Sequence, residues 1–241
     1  MLTKTKAIVL SSMKYGDKKV FVDLFTQDFG RITIANSVAA KSKKRGANNL
    51  FQPLNILEIE FDYNPRKEIQ TVSEARIDYP CSSIPFDPFK ISISLFIAEF
   101  LKYALQNEQK NELLFNYVEQ SIQWLDNTKS GFANFHIVFM IKLSHFVGFY
   151  PNAEEYRPGC MFDLKDGSFT SIIPTHKQVI RPQEAAIIPL LLRLNYATMH
   201  LLKLSRTARN QCTDSILEYY KLHVPGFPDL KSFSVMKELF I

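Results

Sequence analysis

Cysteine is scarce. The 241 residues hold three, Cys81, Cys160 and Cys212, odd in number and far apart. That argues against a disulfide framework and for a reducing compartment. Structural zinc wants four Cys or His ligands, usually in close pairs; Cys160 has no second cysteine within four residues, and His176 lies 16 residues on. Glycine is also sparse, at eight, which disfavours a dinucleotide site built on close backbone approach. The sequence lacks a phosphate-binding glycine loop, Gly-x-Ser-x-Gly and His-Glu-x-x-His, so the common enzyme signatures are missing. The acid pairs Glu154-Glu155 and Asp163/Asp166 fall in a polar loop that needs no catalytic explanation. The longest apolar run, Ala185–Leu192, is eight residues and contains Pro189, against roughly 20 for a membrane span. The N-terminal apolar core, Ala7–Leu10, is four residues, too short for a signal peptide. Met1 therefore reads as the start of a cytoplasmic protein.

Positive charge is plentiful and unevenly placed. Residues 1–67 hold twelve Lys and Arg against six Asp and Glu, a balance of +6, whereas the remainder balances at −1. The whole excess sits in the first third, as expected of a polyanion-binding module joined to a near-neutral one. Nucleic acid is the commonest such partner.

The first third alternates with period two. Strands are expected over 4–10, 18–26, 31–38, 54–61 and 68–77, with turns at Gln27–Gly30 and Asn64–Lys67. Five short strands in fewer than 80 residues suit an OB-type barrel; an SH3-like barrel fits the same alternation. Pro80, Pro85 and Pro88 mark a boundary. Beyond it helices are expected over 89–106, 112–125, 131–147 and 205–223, and a helical region from Pro182 to about Leu204. Asp166-Gly167 signals a two-residue hairpin inside an irregular stretch at about 150–181, and 234–240 reads as one short turn. The expected class is α+β: an OB-type barrel over 1–79, then a helical domain over 80–241 carrying a small hairpin.

The sharpest local feature is Lys41-Ser42-Lys43-Lys44-Arg45. Four like charges in five residues persist most easily in solvent or where phosphates neutralise them. Lys41, Lys43, Lys44 and Arg45 are the expected DNA contacts, with Lys14 and Arg31 in support. They would track phosphates and give little base specificity; the plainer alternative is a solubilising loop. Phe21, Phe25, Phe29, Phe51, Phe61 and Tyr63 are candidates for base stacking, although aromatics in a small barrel mostly form its core.

In order and spacing these residues resemble the RecO family. The resemblance is carried by Thr5-Lys6-Ala7-Ile8-Val9-Leu10, Tyr15-Gly16-Asp17, Leu24-Phe25-Thr26 and Gly30-Arg31, then Ala40–Lys44 followed by Phe51-Gln52-Pro53-Leu54. Further patches are Lys142–Asn152, Tyr220-Lys221-Leu222-His223 and Lys231-Ser232. Asp17 departs from the Glu more common in the family. The resemblance implies an OB barrel, binding of single- and double-stranded DNA, annealing of complementary strands, and nucleoid association when on DNA. It also implies action with RecR to load the recombinase on strands coated by single-strand-binding protein, without catalysis. Many members carry a four-cysteine zinc site; only Cys160 stands in the matching region here, so a metal-free version is expected. Two other classes stay open: an adaptor whose basic barrel binds an acidic protein, and an enzyme of unrecognised chemistry.

Overall fold

Alternation of Val20, Val22 and Leu24 with Phe21, Asp23 and Phe25 makes the second expected strand two-faced, and the computed structural model builds a barrel on that alternation. It describes residues 2–16, 19–37 and 50–239. The barrel strands are β1 (Leu2–Tyr15), β2 (Lys19–Thr26), β3 (Gly30–Ser37), β4 (Ile56–Asp62) and β5 (Ile69–Tyr79). They close in the order β1-β2-β3-β5-β4, with β3 and β5 parallel. That order is the OB-type Greek key, which resolves the two barrel alternatives.

β1 is twice the expected length because it serves two neighbours. Leu2–Ile8 pairs with β4 and Ala7–Tyr15 with β2, and the register slips between Val9 and Ser11. The extra residue bends the strand, as a bulge does. Ala7, Val9, Val22, Leu24, Ile34, Leu57, Ile59 and Phe61 fill the barrel, and Phe51 closes it. β4 begins two residues later than expected because Leu54 takes φ 63°. Its amide instead bonds the Val9 carbonyl at 2.8 Å, and the Val9 amide bonds the Asn55 carbonyl at 3.0 Å.

A short 3-10 turn, Ile84–Phe86, leads to α1 (Pro88–Ala104) and α2 (Glu112–Asn127). Asp87 caps α1 through the Phe89 and Lys90 amides at 2.9 and 3.2 Å. The α1–α2 connection presses on the β2–β3 turn: the Arg31 amide bonds the Glu108 carbonyl at 3.0 Å. Gly30 sits there at φ +65°, and a Cβ would lie 2.5 Å from the Glu108 carbonyl oxygen and against the Gln109 backbone. Gly16 has a similar φ of +61° but, among the described residues, open space around it. Gly30→Ala is therefore expected to cost at least about 2 kcal/mol, and Gly16→Ala about 1 kcal/mol. Urea unfolding followed by the fluorescence of Trp124, the one tryptophan, checks the pair. Equal losses would contradict the close approach.

By contacts the described residues form two units, one within 1–127 and 230–239 and one within 128–229. The boundary expected at 79/80 falls inside the first of these units, where α1, α2 and the last helix cluster with the barrel. That helix, α7 (Lys231–Leu239), is longer than the single turn expected. Glu99 of α1 accepts from the Lys231 amide at 3.2 Å, the Ser232 amide at 2.8 Å and the Ser232 hydroxyl, and so caps α7 from a distance.

The other unit is built on α3 (Phe135–Phe146), almost wholly buried, and α6 (Arg206–His223). The Tyr220 hydroxyl donates to the Met140 carbonyl at 2.8 Å. The hairpin departs from expectation. β6 (Met161–Asp163) pairs with β7 (Ser168–Thr170) across four residues, not two, and β8 (Val179–Ile180) adds a third strand. Asp163 organises the longer loop by accepting the Lys165 and Asp166 amides at 2.8 and 3.3 Å. The helical stretch expected to run to Leu204 breaks into α4 (Pro182–Ala185) and α5 (Ile188–Arg193), then a 3-10 turn at Met199–Leu201. Pro189 lacks an amide to continue a helix from α4, so it starts a new one.

Candidate nucleic-acid interface

Residues paired across a sheet share a face, so the register places each cation. Lys14 pairs with Val20, on the same side as the interior residues Val22 and Leu24, at the far end of β1. It is exposed, as is Lys19, and neither makes an ion pair among the described residues. Arg31 pairs with Phe25 on the opposite face. Val20 and Phe25 are five residues apart, about 17 Å along β2. The register does not bring Lys14 and Arg31 together.

Arg31 is held by internal partners. Its guanidinium donates to the Lys102 carbonyl at 2.8 Å and lies 3.6 Å from the Asp23 carboxylate. Asp23 also accepts the Ser11 and Thr33 hydroxyls at 2.9 and 2.8 Å, with the Lys102 ammonium at 3.5 Å. Burial alone would raise the Asp23 carboxyl, but the Thr33 and Ser11 hydroxyls and the two cations outweigh it and hold the group below its usual range. Arg31 thus fastens α1 to the outer face of β2 and β3. Lys4 is paired with Glu58 at 2.9 Å, and Lys6 with Glu119 and Asp78 at 2.8 and 3.1 Å.

Lys41, Lys43, Lys44 and Arg45 lie outside the described residues. What is described is where their segment leaves the barrel: after Ser37, directly across from Lys19. Lys19 in turn pairs with Tyr15, next to Lys14. Ser37, the last described residue before that segment, therefore stands at the barrel end that carries two exposed lysines.

Two further cations stand outside the sequence-predicted site, although they belong to the expected turn at Asn64–Lys67. Arg66 and Lys67 are exposed in the β4–β5 connection; Lys67 is electrostatically coupled to Asp62, and Arg66 makes no ion pair among the described residues. Of the candidate aromatics, Phe25, Phe51 and Phe61 are buried in packing roles. Phe21 is half-buried and its ring lies 5.4 Å from that of exposed Tyr15. Tyr63 is 36% exposed and its ring lies 4.5 Å from that of Phe29.

Among the described residues no three His, Cys, Asp or Glu side chains group to hold an ion. Cys160 is buried with Phe162, Leu164, Phe169 and Ile180, so apolar packing supports the hairpin region. Near it, Ile141, Phe162, Ile188, Leu191, Ile216 and Tyr219 line an apolar cavity of about 210 Å³. No helix among the described residues is long and apolar enough to cross a membrane.

A closed β1-β2-β3-β5-β4 barrel with exposed cations at its loops defines an OB-fold protein, a class whose connecting loops and β2–β3 face take oligonucleotides or oligosaccharides. The chain belongs to the RecO family: the model for the recombination protein O N terminal matches residues 1–80, and that for the C terminal matches residues 85–232. It is 46% identical to the DNA repair protein RecO of Phocaeicola vulgatus over 240 residues and to that of Bacteroides fragilis over 241. It is 32% identical to that of Christiangramia forsetii over 241, and each match covers the whole of both chains. Membership supports a role in recombinational repair.

Proposed function

We propose that the protein is a non-catalytic, cytoplasmic mediator of recombinational repair that binds single- and double-stranded DNA and anneals complementary strands. The observation carrying this reading is that Ser37, four residues before the basic run in sequence, stands across from Lys19 at the barrel end that also holds Lys14. Lys41, Lys43, Lys44 and Arg45 act with Lys14 as phosphate neutralisers, while Arg31 is spent on Asp23 and the Lys102 carbonyl. Neutralised strands repel one another less, so annealing needs no active site. Affinity falls steeply with salt because each phosphate contact releases counterions.

Family membership supports RecR and single-strand-binding protein as partners in recombinase loading, with nucleoid association following from DNA. The apolar cavity of the second unit has the size to seat one or two side chains of a peptide tail.

The test is annealing of two complementary labelled strands, alone and coated with single-strand-binding protein, with anisotropy on each strand and on duplex. Acceleration that fades as salt rises is expected. No binding at moderate salt, together with capture of an acidic protein, would favour the adaptor instead.

A further inference from the structure

We propose that Phe86 and the apolar groove beside it form a self-association face, at which two copies of this chain each seat Phe86 in the other's groove. Two copies so joined hold two basic barrel ends in one assembly, one for each strand to be annealed. That use rests on the DNA-binding reading above; the dimer itself does not.

Every exposed residue of α1 is apolar: Pro88, Phe89, Ile91 and Leu95. A helix facing water ordinarily carries charge on its outer stripe, and one that is apolar all round is a buried helix. Just ahead of α1 the 3-10 turn carries Phe86 at 82% exposure, the most exposed large apolar side chain among the described residues. The turn is well fixed: the Phe86 and Asp87 amides both bond the Ser83 carbonyl, at 3.0 and 3.1 Å, and prolines stand at 85 and 88. A ring on a fixed turn has little ordering left to lose on burial.

Pro53, Leu54, Ile84, Pro85, Ile91 and Leu95 line an open groove of about 440 Å³. The Ser94 hydroxyl stands in the same wall; the residue is 4% exposed and its oxygen has no hydrogen-bond partner among the described residues. A polypeptide occupant brings the carbonyl that such a hydroxyl needs. The Phe86 turn has carbonyls to offer. Pro88 supplies no amide to the Ile84 carbonyl, and the Asp87 carboxylate takes the Phe89 and Lys90 amides.

Charge and placement both select a second copy as the occupant. Residues 80–98 hold one acid and one base, Asp87 and Lys90; Asp87 caps α1 and Lys90 is 2% exposed. Such a face offers nothing to a phosphate chain or to an acidic or basic tail, and it lets two chains of net charge +5 meet without like charges at the contact. Knob and hole also share one face, since Phe86 directly follows the groove residues Ile84 and Pro85. A two-fold axis requires that self-complementary arrangement and makes each contact twice. A buried aromatic removes about 150–250 Å² from water. Two such rings with Ile91 and Leu95 around them give an interface at the small end of the usual range, and so a weak dimer.

Sedimentation velocity of the full chain without DNA, from about 1 to 100 µM, tests the face. The wild type is expected to pass from monomer to dimer across that range, and equally so at about 0.1 and 0.5 M salt, because no charges pair there. Phe86→Glu and Leu95→Glu are each expected to raise the dissociation constant at least about tenfold. Phe86→Glu should leave urea unfolding unchanged, and should leave single-strand affinity unchanged at concentrations below the dimer range. Three outcomes overturn the inference: a wild-type chain that stays monomeric throughout, a dimer that Phe86→Glu leaves intact, or a dimer lost at the higher salt. If any of these occurs while single strands still bind, the DNA-binding reading survives. If the dimer forms as expected and no strand binds, that reading falls and the face stands.

Discussion

Asp126→Ala is expected to destabilise the barrel-bearing unit by about 3–5 kcal/mol, the cost of breaking a buried charged cluster from one side. The carboxylate is 2% exposed and accepts the Ser82, Ser83 and Ile84 amides at 2.8, 2.8 and 2.9 Å. The Tyr79 and Ser82 hydroxyls lie at 3.2 Å. Its own carbonyl accepts from the Ser83 hydroxyl and from the equally buried Lys90 ammonium at 3.0 Å. One residue at the end of α2 thus joins the barrel's last strand, the 3-10 turn and the start of α1. An acid at a helix C-terminus is ordinarily unfavourable; here three amides and a lysine reverse that. Alanine would leave the amides without an acceptor and take from Lys90 one of two nearby acids, the other being Asp87. Asp126→Asn keeps an acceptor oxygen and is expected to lose less. Trp124, two residues away, reports the transition in urea.

The same cluster sets an acid limit. Burial would raise the Asp126 carboxyl, but the Ser82, Ile84 and Ser83 amides and the Ser82 hydroxyl bring it down to about 2 from 3.8. A carboxyl depressed in the folded state stabilises fully above its unfolded value and loses that contribution as pH falls toward the folded one. About 2 kcal/mol should therefore disappear between about pH 5 and pH 2 in the wild type. Asp126→Asn should show a flatter profile; parallel profiles would assign the acid sensitivity elsewhere.

The second large effect is on DNA. Lys41→Ala/Lys43→Ala/Lys44→Ala/Arg45→Ala is expected to weaken single-strand binding on the order of a hundredfold at about 0.15 M salt, with unfolding unchanged. If all four reach phosphates, each contributes about 0.7 to the salt slope on a single strand. Arg31→Ala behaves differently: it removes a link from β3 to α1 and should lower stability before it touches the salt slope. That contrast separates the cation that fastens the fold from those that meet DNA.

The barrel is legible in the sequence because apolar interior positions recur with period two, whatever covers the outer face. Val20, Val22 and Leu24 alternate with Phe21, Asp23 and Phe25, and Ile56–Phe61 alternates likewise. The strand ends are harder to read, since the β1 bulge and the left-handed Leu54 are fixed by pairing between distant segments. α7 outruns its local pattern because its cap, Glu99, lies 132 residues away from Lys231. Within the site, residue type marks the cations but not their fate. Arg31 looks like Lys14 in sequence, and only the register reveals that Asp23 and Lys102 await it. Arg66 and Lys67 are readable as turn residues, whereas the brace that Gln70 gives their turn, through the Asn64 and Lys67 carbonyls, has no local signal.

The most direct test is the salt dependence of single-strand affinity for wild type and the four-alanine variant, measured side by side. A steep wild-type slope that falls by about 2.8 in the variant is expected. Equal slopes and equal affinities would contradict the assignment of the basic segment to DNA.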